Sequence, residues 1–218
     1  MKLTSLFDVS GKSALVVGAT GAFGMVAAET LAGAGCNLAL TGGNVGSLEE
    51  IKNVCSKLGS KVISINKRPE NEEICESIVS DTVKEFGSID ILVVASGINK
   101  VAKIDEMDPE IFSSVMNVNV TQSWLISRAA SSAMKKQNTG GKIVLVSSAR
   151  GLLGHPAGYT AYCSSKAAID GMTKSLGCEL GEFNITVNAI APTVFRSPLT
   201  AWMFEDNDNA KKIREGFL

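Results

Sequence analysis

A chain of 218 residues, 45 % hydrophobic and 20 % charged, is long enough for one full core and short for two, so one domain spanning residues 1–218 is expected. A formal net charge of −1 provides no basic footprint for nucleic acid or an anionic membrane, which leaves a small molecule or another protein as the expected partner. Five cysteines (Cys36, Cys55, Cys75, Cys163, Cys178) contain no Cys-x-x-Cys pair, and one histidine, His155, cannot build a zinc constellation, so the expectation is a reduced cytoplasmic protein with packing thiols and no metal.

The opening run MKLTSLFDVSGKSALVV meets polar residues before any sustained apolar stretch, and no later run nears bilayer length, so a soluble, unexported chain is expected. The first strand-length apolar run is Ser13 to Val17, followed by a helical segment from Gly24 to Ala34 that stops at Gly35. Asn37 to Thr41 reads as the second strand. Ser47 to Leu58 reads as a helix ended by Gly59, opened by the capping-box form Ser47-Leu48-Glu49-Glu50. Lys61 to Ile65 is the third strand and Pro69 to Phe86 a helix closed by Gly87. A fourth strand, Asp90 to Ala95, precedes a helix opened by Asp108-Pro109, with proline where its missing N–H costs nothing. Helix Thr121 to Gln137, strand Lys142 to Ser147, helix Tyr159 to Leu180 and strand Asn184 to Ile190 complete the series. Strands apolar on both faces, alternating with helices and uninterrupted by repeats or linkers, imply an α/β fold: a doubly wound, Rossmann-like parallel sheet in three α/β/α layers.

Ligands of such sheets bind beyond the carboxyl ends of the strands, so the residues just after each strand carry the interest. After the first strand, Gly18, Gly21 and Gly24 open a helix whose N–H groups and dipole suit a pyrophosphate, although glycine also serves a plain strand-to-helix turn. Tyr162 and Lys166 lie one helical turn apart, so the ammonium is expected to depress the phenol's pKa from about 10 toward the range of a proton donor. The strand Ile143-Val144-Leu145-Val146 ends in Ser147-Ser148, where a strand end and a site both want serine.

Taken together, "VGATGAFG", "DILVVASG", "NVNV", "IVLVSSARG", "YCSSK" and "NITVNAIAPTV" resemble, in order and spacing over nearly the whole chain, the short-chain dehydrogenase/reductase family. The resemblance implies an oxidoreductase that interconverts a secondary alcohol and a ketone by hydride transfer with NAD(P)(H). Tyr162 would be the acid/base, Lys166 would lower its pKa and hold the nicotinamide ribose, Ser148 would bind the substrate oxygen, and Asn119 would anchor a water of the proton relay. Ser147 and Asn117 are the neighbouring alternatives to Ser148 and Asn119. Ser148 is preferred for the Ala-Arg-Gly that follows it, and Asn119 for its place before Val120-Thr121. The coenzyme would be held by Gly18, Thr20, Gly21, Phe23, Gly24, Gly43, Asn44, Ala95, Ser96, Gly97, Pro192 and Thr193, together with Tyr162 and Lys166. A homo-oligomer, dimer or tetramer, is implied, with a hetero-oligomer as the other option.

Several family positions are altered. Ala22 stands at the middle glycine of the usual G-x-x-x-G-x-G, while Gly21 makes the spacing G-x-x-G-x-x-G. Thr41-Gly42-Gly43-Asn44 carries neither the acid that binds a ribose 2′-OH nor an arginine for a 2′-phosphate, and the side chain of Asn44 favours NAD over NADP. The usual aspartate after the third strand is replaced around Asn66, followed by Lys67 and Arg68; Asn-Asn-Ala-Gly becomes Val94-Ala95-Ser96-Gly97; Pro-Gly becomes Pro192-Thr193. All these changes fall on the coenzyme side, which motivates a second reading, a non-catalytic or partner subunit with weakened coenzyme binding. Val194 to Phe204 would form a substrate lid, with Trp202, Met203 and Phe204 as an apolar wall and Arg196 and Arg150 open to an anionic substrate such as a sugar acid or hydroxyacyl-CoA; a cyclic alcohol is the uncharged option. His155 reads as an exposed loop histidine near the substrate. Family members continue through a further helix and strand, so a truncated, disordered or omitted tail is expected after Leu218.

Overall fold

A computed structural model describes residues 7–196 and 200–215. Six parallel strands, β1 (Ser13–Val17), β2 (Asn37–Thr41), β3 (Val62–Ile65), β4 (Ile91–Val94), β5 (Gly141–Val146) and β6 (Ile185–Ile190), are ordered β3-β2-β1-β4-β5-β6. Helices α1 (Ala22–Gly33), α2 (Val45–Lys57), α3 (Glu72–Phe86), α4 (Pro109–Met116), α5 (Gln122–Gln137) and α6 (Thr160–Leu180) connect them, and α7 (Asp208–Glu215) follows the sheet.

The period of two along β1 divides its side chains between two cores. Leu15 and Val17 pack with Ile78, Val79, Ile126, Met134 and Ile169 of α3, α5 and α6 on one face. Ala14 and Val16 pack with Ala28, Ala32, Leu48 and Ile51 of α1 and α2 on the other. Burying a side chain such as Leu15 or Ile78 stabilises the fold by about 1.5–3 kcal/mol each, so apolar residues on both faces specify a covered sheet. The expected three-layer, doubly wound architecture is the observed one. Buried Gly24, Ala28 and Ala32 form a stripe of small residues that lets α1 lie close to the sheet.

Three local expectations change. Ser47 is not the N-cap of α2: Asn44 is, its side chain accepting the Ser47 N–H at 2.9 Å, so the helix starts at Val45 and the capping box does not form. Helix α3 begins at Glu72 behind the cap Asn71, whose side chain accepts from Ile74 N–H at 2.9 Å, leaving Pro69 buried in the preceding loop. Between α4 and α5 the chain does not break but runs through a π-helical turn, Asn117–Thr121, a form that tends to appear where a helix serves a site. The predicted start of the fourth helix holds, with Asp108 capping and Pro109 in the first turn.

Cys36, Cys55 and Cys75 are buried, and burial pushes each thiol up to about 11. Cys163 is half-buried and Cys178 exposed. A thiol reagent at pH 8 is expected to label Cys178 and Cys163 of the native chain and to reach the other three only with denaturant, read by peptide mass spectrometry; rapid labelling of Cys36 or Cys75 in native protein would contradict this packing.

Candidate active site

Strand order reverses direction between β1 and β4, and the loops leaving those two strands enclose a cleft. Gly18 turns the chain at φ +78°, and a Cβ there would lie 2.6 Å from the backbone nitrogen of Ser96, so only glycine fits between the two loops. The N–H groups of Gly18 and Ala19 donate to the Thr41 carbonyl at 3.0 Å each, tying the turn to β2. A Cβ at Gly24 would stand 2.8 Å from the carbonyl carbon of Gly18, so α1 starts directly against the turn. Gly21 caps α1 without a side-chain hydrogen bond, which leaves the first-turn N–H groups and the helix dipole to an anion. The shifted glycine spacing therefore builds a close strand-to-helix turn with Ala22 inside the helix. The buried Ser96 hydroxyl has no hydrogen-bond partner among the described residues.

One end of the cleft, about 300 Å³, is lined by Gly18, Thr20, Gly21, Gly43, Ser96 and Arg68 among others. The other end, about 460 Å³, shares Gly21, Ala95 and Gly97 with it and continues past Phe23, Ser148, Arg150, Tyr159, Tyr162 and Phe195. A larger space of about 670 Å³ lies between α3 and α5, around Glu72 and Arg128, and shares no lining residue with either.

Ser148 and Tyr162 line the wider end, and Lys166 lies buried behind Tyr162 without lining either end. Ser148 follows β5 and its hydroxyl accepts from the Arg150 N–H at 3.2 Å. Ser147 instead turns away and donates to the Lys166 carbonyl at 3.2 Å, which decides between the two serines. Tyr162 stands in the first turn of α6, packed edge-on to Tyr159 at 6.3 Å between ring centres. Burial raises its phenol pKa, with the Ser148 hydroxyl opposing that rise. The expected depression by Lys166 is not seen. Lys166 is itself buried, its ammonium donates to the Val146 carbonyl at 2.7 Å and lies 5.6 Å from the Tyr162 ring centre. Burial pulls it down to about 8, with Asp170 opposing.

Asn119 sits behind this group on the π-helical turn, almost fully buried. Its amide donates to Ile98 O and Ser165 Oγ, both at 2.9 Å, and its side-chain oxygen accepts from Ile98 N–H at 2.8 Å. Both N–H groups thus brace the β4 loop against α6. Asn117, its alternative, is exposed on the outer side of α4.

Of the other coenzyme-side candidates, Gly18, Thr20, Gly21, Gly43, Ala95, Ser96 and Gly97 line the narrower end, and Phe23, Tyr162 and Thr193 the wider. Gly24 acts from behind by permitting close packing. Asn44 is used as the α2 cap and does not line the cleft; Pro192 offers its carbonyl to the Ala149 N–H at 3.0 Å. In the lid run, Val194, Phe195, Thr200 and Met203 line the wider end, the Phe195 ring meets Phe23 at 6.2 Å, and residues 197–199 lie outside the described residues. Trp202, Phe204 and Arg196 do not line it, whereas Arg150 does, its guanidinium donating to Gly154 O at 2.9 Å. His155 is half-buried against Tyr159, 4.7 Å between ring centres. Sequence reasoning did not assign Arg68, Tyr159 or Asn99 to the cleft; Arg68 stands just past the end of β3, the one signal that could have pointed to it.

A doubly wound sheet with a glycine cradle at its switch point and a Ser-Tyr-Lys cluster beside it defines a Rossmann-type α/β protein. The family described as short chain dehydrogenase matches residues 12–208, and the chain belongs to that family of oxidoreductases. An uncharacterised oxidoreductase of Mycobacterium tuberculosis is 46 % identical over 97 % of this chain and 78 % of its own length. A 3-oxoacyl-[acyl-carrier-protein] reductase of Rickettsia felis is 35 % identical over 89 % and 77 % of the two chains. Among solved structures, an NAD⁺-bound xylitol dehydrogenase aligns with a TM-score of 0.83 and 32 % identity, covering 89 % of this chain and 74 % of that one.

Proposed function

We propose that this single domain interconverts a secondary alcohol and a ketone by hydride transfer with a nicotinamide dinucleotide, Tyr162 serving as acid/base. The observation that carries the reading is that Ser148 and Tyr162 line one end of a cleft whose other end is a glycine turn, with the buried Lys166 ammonium 5.6 Å from the Tyr162 ring centre behind them. The Ser96 hydroxyl, without a partner among the described residues, and the first turn of α1, which no side chain caps, fit an elongated ligand with a pyrophosphate at the α1 N-terminus. Gly18, Thr20, Gly21, Ala95, Ser96 and Gly97 would hold the coenzyme, with Lys166 toward its nicotinamide ribose. The bound coenzyme supplies the hydride for ketone reduction and accepts it in alcohol oxidation.

The protein's own groups handle the oxygen. In reduction, Ser148 donates a hydrogen bond to the carbonyl oxygen and Tyr162 delivers a proton to it; in oxidation the same phenolate removes the hydroxyl proton. Lys166 places positive charge beside the phenol where negative charge develops, and Asn119 keeps the β4 loop and α6 in register. The wider end, with Phe23, Tyr159, Phe195 and Met203, favours a substrate with an apolar body, and Arg150 on its wall suits the carboxylate of a sugar acid or a carrier phosphate of a hydroxyacyl-CoA. The 3-oxoacyl-[acyl-carrier-protein] reductase relative is compatible with an acyl thioester substrate, and a cyclic alcohol is the uncharged option. A cytoplasmic homo-oligomer, dimer or tetramer, goes with the reading.

The deciding experiment is a turnover panel of sugar acids, hydroxyacyl-CoAs and cyclic alcohols, in both directions and with both coenzymes. Burial keeps Tyr162 protonated at neutral pH. Ketone reduction is therefore expected to hold level through neutral pH, to fall as Lys166 gives up its proton at about pH 8 and further as the phenol ionises, while alcohol oxidation rises over the range in which the phenol ionises. Saturable binding of neither NADH nor NADPH would instead establish the non-catalytic partner subunit.

A further inference from the structure

The coenzyme reading leaves open which dinucleotide is bound, and the structure places a cation where that is decided. We infer that Arg68 selects NADP(H) over NAD(H) by pairing with the 2′-phosphate on the adenosine ribose; the inference rests on the coenzyme reading above.

In a doubly wound sheet the adenosine ribose lies beyond the end of the second strand, where an acid accepts the 2′-OH of one coenzyme and an arginine receives the 2′-phosphate of the other. Here β2 ends in Thr41-Gly42-Gly43, with no carboxylate to bind a hydroxyl pair or to repel a phosphate. Asn44, the one hydrogen-bonding side chain that favoured NAD, is held as the α2 cap by Ser47 and is outside the cleft. The guanidinium of Arg68 crosses from the end of β3 and occupies the space that a side chain at Gly43 would take. It is thereby laid across the β2 end from the neighbouring strand, on the wall of the narrower cleft.

The neighbouring charges leave this role to Arg68. Lys67, also on that wall, is engaged by Asp81 at 2.9 Å and by the Ser77 hydroxyl at 3.1 Å. Arg68 takes part in no ion pair among the described residues, and it is exposed. Glu70 is the one carboxylate on the wall, and it too is exposed. A planar guanidinium offers two parallel N–H groups to phosphate oxygens, a geometry a lysine lacks. Sequence alone concealed the arrangement because the cation comes from the third strand and the vacancy it fills from the second.

The test is direct binding of NADPH, NADH, adenosine 2′,5′-bisphosphate and adenosine 5′-monophosphate, by calorimetry and nicotinamide fluorescence, to the wild-type chain and to Arg68→Ala and Arg68→Lys. Wild type is expected to bind NADPH at least about ten-fold more tightly than NADH, with the preference shrinking as salt rises. Arg68→Ala should weaken NADPH and the bisphosphate by about 10- to 100-fold and leave NADH and the monophosphate within about three-fold, and Arg68→Lys should recover part of the loss. A wild-type preference for NADH overturns the inference, as does an equal loss for both coenzymes, which would mean that the guanidinium stacks on the adenine they share. Unchanged unfolding temperature of the ligand-free variants separates lost recognition from lost fold. If no nucleotide binds the wild-type chain at all, the coenzyme reading itself fails, a result distinct from binding without preference.

Discussion

Tyr162→Phe is expected to lower turnover by about 10²- to 10⁴-fold, the range that a positioned proton donor contributes, while coenzyme affinity changes by no more than about two-fold. The substitution removes one oxygen and keeps the ring that packs on Tyr159 and under which Lys166 lies. Binding is expected to survive because the glycine cradle, Ser96 and Lys166 are untouched. The loss should appear in both directions, since the same phenol donates in reduction and accepts in oxidation. A Tyr162→Phe protein that keeps more than about a tenth of its turnover would remove Tyr162 from the chemistry. Ser148, Tyr159, Thr193 and Thr200 would then be the remaining hydroxyls at that end of the cleft for the oxygen, and the pH profile would follow a different group.

Gly18→Ala is expected to destabilise the protein by about 2–5 kcal/mol, combining a left-handed backbone angle with overpacking against a neighbouring backbone. At φ +78° an alanine is strained, and its Cβ would press on Ser96 N and Cα at 2.6 and 2.7 Å. Neither atom is the free end of a flexible side chain, so β1 and β4 must separate where they meet. For a chain of this size the midpoint of thermal unfolding should drop by roughly 5–15 °C, and nucleotide binding should weaken with it. Gly33→Ala supplies the control: at the last residue of α1 nothing lies within 4 Å of an added Cβ, so the change should be neutral or stabilising by up to about 1 kcal/mol. Equal midpoints for the two variants would show that the Gly18 turn is not packed as described.

The strands were legible because apolar residues on both faces leave few alternatives to a covered parallel sheet. Element edges were less so. Ser47 and Asn44 are both good cap residues, and the chain uses Asn44 to receive the N–H of Ser47, the residue that pattern alone would make the cap. Nothing in a 3.6-residue period marks the π-helical turn at Asn117–Thr121, since its extra residue is absorbed by a single wider turn. That turn nonetheless buries Asn119 between the β4 loop and α6 and turns it into a brace.

The site divides in the same way. Ser148, Tyr162 and Lys166 could be found from spacing and family likeness because they sit on two adjacent elements, the end of β5 and the first turns of α6. The sign of the Tyr162 shift could not, because it is set by how much water the fold removes around the phenol, and burial outweighs the opposing hydrogen bond of Ser148.

By itself, then, the order of apolar runs, glycines and the Tyr-x-x-x-Lys pair determined the fold class, the family likeness and the end of the sheet where ligand binding is to be expected, because those depend on periodicities and on local backbone needs. Only the tertiary structure decided which serine faces the cleft, that Asn44 is withdrawn from it, and that Arg68 of one strand end fills the space beside Gly43 of another. The first and the last depend on contacts between residues 19 and 25 positions apart, Ser147 with Lys166 and Gly43 with Arg68, and no local pattern encodes a distance that only the sheet's strand order creates; the second turns on which of two neighbouring cap residues the folded chain uses.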